Sequence, residues 1–401
     1  MSNTKPSAKN CKKKIPKRIL KNLAGQTVTT KHYDMNYTDL APAHIRAIAL
    51  YQPGKPILEL ERELGITGIV KLASNENPLG VSPAALTAMQ EAIKTIALYP
   101  DGNGFELKDA LAKRYGVTHA NIFLGNGSND LLELAARAFL MAGDKTVYSA
   151  HSFAVYALAT QAVGATGIIV PAQNFGHDLD AMSQAAVEQG AKIIFIANPN
   201  NPTGTFLPGS ALHEFLRKLP ANILVVLDEA YNEYLPEEKR YDSVAWLREF
   251  PNLIISRTFS KAYGLAGLRV GYALAHEQVA DMLNRVRQPF NVNSVAQAAA
   301  VAALADTAFV QLTFELNQRG MAQLTQGLRD LGLSYIPSYG NFVSFHVVNA
   351  ARIYRRLLEE GVIVRPISNY AMPDYLRVSI GLKTENEKFL NALKKILGEQ
   401  Q

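Results

Sequence analysis

Between residues 146 and 272, short apolar runs rich in β-branched side chains alternate with longer stretches of helix-like pattern. The runs fall at 146–148, 167–170, 192–197, 223–227, 253–256 and 270–272, and most are apolar throughout. A strand with one wet face would show polar residues at every second position. Continuous apolar runs instead predict strands covered on both faces, as in a parallel sheet between helix layers. The stretches 178–189 and 209–219 read as two of those helices. From about Val292 the pattern changes to an alanine-rich helix at 294–305, a long amphipathic helix at 308–331, and strands near 342–347, 362–364 and 375–379. The expected architecture is α/β, with a smaller α+β domain at the C-terminal end.

Composition narrows the class. With 401 residues, 48% of them hydrophobic and 19% charged, the chain can bury the cores of two domains. No apolar run approaches the roughly 20 residues of a membrane helix, so no membrane partner is expected. The single cysteine, Cys11, lies in a polar basic tail, and none of the eight histidines is paired at i, i+4. Neither a disulfide framework nor a metal site is expected. The net charge is +6, yet nine basic residues from Lys5 to Lys31 precede the first acid, Asp34, so the remainder is mildly acidic. That tail lacks the aromatic interleaving of single-strand binders and the apolar segment of a secretory signal. It reads as a solubilising extension, with Met35 as an alternative start, and no nucleic-acid partner is expected. The boundaries expected are 1–34 for this extension, 35–72 for an arm and part of the smaller domain, 73–291 for the large domain and 292–401 for the small one.

Chemistry enters at Lys261, within Ser256-Arg257-Thr258-Phe259-Ser260-Lys261 and followed by Gly264, Gly267 and Arg269. Upstream, Asp228-Glu229-Ala230-Tyr231 ends an apolar run, where a carboxylate either caps backbone or meets a buried cation. Further upstream, Leu124-Gly125-Asn126-Gly127-Ser128-Asn129-Asp130 precedes an apolar helix, so Ser128 and Asn129 offer open amides where a phosphate is favoured. The loop from Asn198 to Gly204, with two prolines, follows an expected strand at the sheet edge where α/β folds place ligands. Singly, each piece has a structural reading as a surface lysine, a strand cap, a turn or a rigid loop. As an ordered set of acid, phenol, amine and phosphate cradle, they fit pyridoxal 5'-phosphate (PLP). That cofactor needs a lysine for its aldehyde, an acid for its ring nitrogen and donors for its phosphate.

The segments Asn198 to Gly204, Asp228 to Tyr231 and Ser260 to Gly271 resemble the class I/II PLP-dependent aminotransferases of fold type I, and the likeness runs from about Met35 to Leu397. Residues 51–56, 72–78, 99–102, 289–293 and 362–366 resemble the histidinol-phosphate aminotransferase sub-family. The resemblance implies a mostly parallel seven-stranded sheet between helices. It implies that Lys261 holds PLP as a Schiff base and then moves the substrate proton, that Asp228 protonates the ring nitrogen, and that Asn201 and Tyr231 bond the ring hydroxyl. Phe153 would stack on the ring; Ser128, Asn129, Thr258, Ser260 and Arg269 would hold the phosphate. Tyr99 resembles the tyrosine that reaches the phosphate of a neighbouring subunit, which implies a homodimer. Substrate contacts would come from Arg377, Arg365, Tyr51 and Asn77, with Arg377 receiving the phosphate of L-histidinol phosphate in one half-reaction and the carboxylate of glutamate or 2-oxoglutarate in the other. Arg365 has an alternative reading as an ion pair with Glu359 or Glu360. One departure is Ala150-His151-Ser152-Phe153, where the family often has a proline before the aromatic residue. The expected function is a cytoplasmic transaminase of histidine biosynthesis. The alternatives are an aromatic amino acid aminotransferase, or a related PLP enzyme acting on a phosphorylated amino acid. A non-catalytic effector domain fits poorly, because the residues before Met35 are too few for a winged helix-turn-helix.

Overall fold

The computed structural model describes residues 36–50 and 54–399. The basic extension and Tyr51 lie outside the described residues. Residues 36–46 belong to a unit of their own. It holds a 3-10 turn, Tyr37–Leu40, started by the Asn36 side chain, and one helical turn, Ala43–Arg46.

In the unit from Ala47 onward the strands are β1 (Val70–Lys71), β2 (Ile122–Gly125), β3 (Lys145–Ser149), β4 (Thr166–Val170), β5 (Ile193–Ala197), β6 (Leu224–Asp228), β7 (Leu253–Thr258), β8 (Gly271–Ala275), β9 (Tyr335–Ile336), β10 (Phe342–His346), β11 (Val362–Ile363), β12 (Arg365–Pro366) and β13 (Tyr375–Ser379). Seven of them form one sheet in the order β2-β8-β7-β6-β5-β3-β4. Strands β3 to β7 run parallel, and β8 lies antiparallel between β7 and β2. The parallel sheet is therefore as the pattern predicts, and its seven strands are as the family resemblance implies.

Strand β5 shows why its run is continuously apolar. Ile194 and Ile196 enter the core on one face of the sheet, while Ile193, Phe195 and Ala197 enter the core on the other. Successive side chains point to opposite faces, and both faces are covered by helices. Strand β2 has no counterpart among the expected strands. Its four residues are all buried, but Leu124-Gly125 reads along the sequence as the start of a turn.

A second sheet has the order β12-β13-β10-β9, and β1 pairs with β11. The strand expected at 362–364 is the shorter β11, which pairs with β1, and the separate strand β12 follows it and pairs with β13. Leu324 and Leu328 of the helix Thr307–Asp330 and Phe389 and Leu393 of the helix Lys383–Gly398 bury against this sheet. The helix Ser294–Ala305, expected with the small domain, buries Ala296, Ala299, Ala300 and Ala303 in the core of the large sheet. Among the described residues no single helix is long and apolar enough to cross a membrane.

A buried ion pair ties β6 to β7. Glu229, just beyond β6, meets Arg257 on β7 at 2.8 Å, with side-chain exposures of 0% and 8%. Ser243 Oγ donates to Glu229 at 3.0 Å, and Arg257 donates to the Tyr115 hydroxyl at 2.9 Å. Removing one member of such a pair leaves the other charge desolvated and uncompensated. Glu229→Ala is therefore expected to destabilise the fold by about 3–5 kcal/mol, measured as a lower urea midpoint with an unchanged slope.

Candidate active site

The parallel strands deliver their side chains to one edge. Beyond the carboxyl ends of β5, β6 and β7 come Asn201, Asp228 with Tyr231, and Thr258 with Ser260 and Lys261; Phe153 follows β3. All of these line a single cavity of about 220 Å³. Open parallel sheets bind ligands at this edge because strand ends and helix N-termini converge there. From the second sheet, Arg365 and Arg377 reach the same cavity, as do Ala73, Ser74 and Asn75.

Asp228, the last residue of β6, is buried. Tyr156 donates to its Oδ2 at 3.0 Å, and the Ala230 amide donates to Oδ1 at 3.3 Å. Burial pushes its carboxyl up to about 6, against the pull of those donors. Lys261 Nζ donates to the Ser74 carbonyl at 3.0 Å. Burial, reinforced by the charges of Arg377 and Arg269, brings its amine down to about 7. The Tyr231 hydroxyl accepts from Asn75 Nδ2 at 2.8 Å, and burial pushes that phenol up to about 12. Asn75 is itself fixed, with a left-handed φ of 56° and its amide donating to Ser379 Oγ at 2.8 Å.

The residues expected to hold a phosphate also come together. Ser128 and Asn129 open the helix Ser128–Phe139, behind Gly127 at φ 85°. A Cβ at Gly127 would run into the Arg269 guanidinium, so only glycine lets that side chain close over the helix end. Arg269 Nη1 donates to Ser260 Oγ at 3.1 Å and to the Ala266 carbonyl at 3.0 Å. Open helix-end amides, the hydroxyls of Ser128, Thr258 and Ser260, and a guanidinium are the donor set a phosphate dianion requires. The buried acid and amine in the same cavity suit a pyridine nitrogen and an aldehyde. The residues present fit PLP.

Two expected site residues stand elsewhere. Asn77 does not line the cavity; its Nδ2 donates to the Ala262 carbonyl at 2.9 Å and to Thr313 Oγ1 at 3.0 Å, which ties segments together. Tyr99 is 84% exposed and stacks on Phe290 with centroids 4.7 Å apart, away from its own chain's cavity. Tyr51 lies outside the described residues. Asn201 is in the cavity, where its Oδ1 accepts a short hydrogen bond from Arg377 Nη1. Arg365 is buried on the cavity wall, and the acids of its alternative reading meet other residues, Glu359 with Arg356 and Glu360 with Lys395. Sequence reasoning missed Tyr156 and the role of Asn75. Neither is adjacent to a motif residue it serves, and only the fold brings them together.

The family described as Aminotransferase class I and II matches residues 67–394, and the chain belongs to that family. It is a PLP-dependent transaminase of fold type I. Within the family it is 63% identical over 361 residues to the histidinol-phosphate aminotransferase of Methylobacillus flagellatus, covering 90% of this chain and 98% of that protein. It is 62% identical over 362 residues to histidinol-phosphate aminotransferase 2 of Nitrosospira multiformis, covering 90% and 92%. The crystal structure of histidinol-phosphate aminotransferase from Sinorhizobium meliloti in complex with pyridoxal-5'-phosphate superposes with a TM-score of 0.82 at 29% identity, covering 90% of this chain and 98% of that one.

The low value of the Lys261 amine has a kinetic consequence. Only the free amine attacks an aldehyde. Capture of PLP by the cofactor-free protein should therefore accelerate as pH rises through about 7 and then level off. A lysine at the ordinary 10.5 would still be gaining rate well above that. Stopped-flow absorbance after mixing protein with PLP at a series of pH values distinguishes the two profiles.

Proposed function

We propose that this chain transfers the amino group of L-histidinol phosphate to 2-oxoglutarate, as a cytoplasmic homodimer of histidine biosynthesis. The observation that carries the reading is the pair of buried arginines on the cavity wall. Arg365 and Arg377 are register partners on the adjacent strands β12 and β13, and both line the cavity that holds Lys261 and Asp228. Two guanidiniums side by side on one wall give that part of the cavity a positive charge suited to an anionic substrate group. A phosphate dianion answers two forks more fully than a carboxylate can. The names of the relatives support the same substrate.

In this reading Lys261 would hold the cofactor aldehyde, Asp228 its ring nitrogen, Phe153 the face of its ring, and Asn201 and Tyr231 its hydroxyl. Ser128, Asn129, Thr258, Ser260 and Arg269 take its phosphate. When bound, PLP supplies a sink for the electron pair left at the amine-bearing carbon. Lys261 Nζ, neutral above about 7, is the base that takes the proton from that carbon. Asp228, as an anion, holds a proton on the ring nitrogen opposite it. Arg377 grips the phosphate of one substrate and the carboxylate of the other, with Asn201 steadying its guanidinium. Tyr99, exposed beside Phe290, reaches across to the phosphate of the partner subunit, and Tyr51 adds a substrate contact.

Arg377→Lys should weaken both half-reactions, because a point charge cannot replace the fork. Arg365→Ala should separate them. The loss in kcat/KM is expected to be larger for histidinol phosphate than for phenylalanine by about 1–3 kcal/mol of transition-state binding, read from steady-state kinetics on both substrates. Equal losses, or a wild type that prefers phenylalanine, would point to an aromatic aminotransferase.

A further inference from the structure

Asp228 is held from behind by Tyr156. This residue lies in the helix Val155–Ala162, is completely buried, and does not line the cavity. Its hydroxyl donates to Asp228 Oδ2 at 3.0 Å. The other hydrogen bond to that carboxylate among the described residues is the longer one from the Ala230 amide, at 3.3 Å.

The ring has little freedom. It stacks on Phe195 with centroids 4.9 Å apart and planes within 6°. Phe195 is the register partner of Val226 on β6, two residues before Asp228, so all three side chains share one face of the sheet. Tyr156 also meets Phe153 edge-on at 6.0 Å. One short stretch of chain thus supplies both the aromatic wall of the cavity and the support of its acid. Phenylalanine would fill the same apolar layer without bringing in a polar atom. A hydroxyl placed there costs free energy unless it is bonded, and the bond it makes is to Asp228.

We propose that Tyr156 is a positioning residue for transamination: its hydroxyl fixes the Asp228 carboxylate, as a hydrogen-bonded anion, against the ring nitrogen of PLP. The proposal rests on the PLP-dependent reading above and deepens it. Burial drives the Tyr156 phenol well above its ordinary range, so it stays protonated and donates to Asp228. The charged groups facing Asp228 are Glu229 beside it on the chain, which favours the protonated acid, and Lys261 from beyond β7, which opposes it. Losing the Tyr156 bond leaves burial less opposed, so Asp228 holds its own proton over a wider pH range and meets the ring nitrogen less often as an anion.

The test compares the full-length wild type with Tyr156→Phe, which keeps the ring and its stack on Phe195. Both are stripped of cofactor and titrated with PLP and with 1-deaza-pyridoxal phosphate, in which carbon replaces the ring nitrogen. The variant is expected to bind PLP about tenfold to a hundredfold more weakly, the span of a hydrogen bond to a charged group. It should bind the deaza analogue no more weakly than the wild type does, since the analogue has no protonated ring nitrogen for the Asp228 anion to pair with. With PLP and substrate, kcat should fall while KM stays within about twofold. Unchanged PLP affinity, or an equal loss with PLP and analogue, would overturn the proposal and leave Tyr156 a packing residue. A wild type that failed to take up PLP at all would instead remove the reading on which the proposal rests.

Discussion

The site depends on desolvation of opposite charges at one edge of a sheet. Strands β6 and β7 are parallel neighbours, so whatever follows their last residues emerges side by side. Asp228 ends one, and Lys261 lies three residues beyond the end of the other. Helices on both faces of the sheet exclude water from that edge, and burial moves the acid up and the amine down. Each group is thereby brought near the range where a proton can be exchanged at neutral pH. The same burial makes polar support necessary, and Tyr156, Ala230 and Ser74 supply it. Beneath them, the Glu229–Arg257 pair clamps the ends of the two strands from residues adjacent to Asp228 and Thr258.

The second sheet contributes what the first lacks. The large sheet supplies an acid, an amine and a phosphate cradle, while the two arginines come from β12 and β13. Arg377 reaches back across the cavity to Asn201, on the loop after β5, and donates to the Ala73 carbonyl at 2.9 Å. Asn75 similarly joins Tyr231 to Ser379 of β13. The walls of the cavity are therefore cross-linked by the residues proposed to bind ligand. A ligand that engaged Arg377 would act on elements of both sheets at once.

Much of this arrangement was legible in the chain. Continuous apolar runs predicted a doubly covered parallel sheet, because alternation to two buried faces leaves no polar positions, as in β5. The residues around Lys261, Asp228 and Gly127 were legible because each sits at a strand end or a helix start, where local sequence fixes local geometry. Other features were not. The β2 strand is short and runs into a glycine turn, so its pattern is that of the turn. Arg365 belongs to a separate two-residue strand because its neighbours Val362 and Ile363 pair with β1, a tertiary preference with no local signature. Tyr156 and Asn75 serve residues far along the chain, 72 and 156 positions away, and only the assembled fold brings them within reach. Asn77, in the same motif as Asn75, is turned toward Ala262 and Thr313 instead. Membership of a motif did not specify which of its side chains faces the cavity.

The central claim is that Lys261 is the amine that holds the cofactor, and chemical trapping tests it most directly. The PLP-loaded protein is reduced with borohydride, digested, and its peptides are sequenced by mass spectrometry. The account predicts a phosphopyridoxyl group on Lys261 and on no other lysine. A label on a different lysine, or no label on a protein that had taken up PLP, would contradict it.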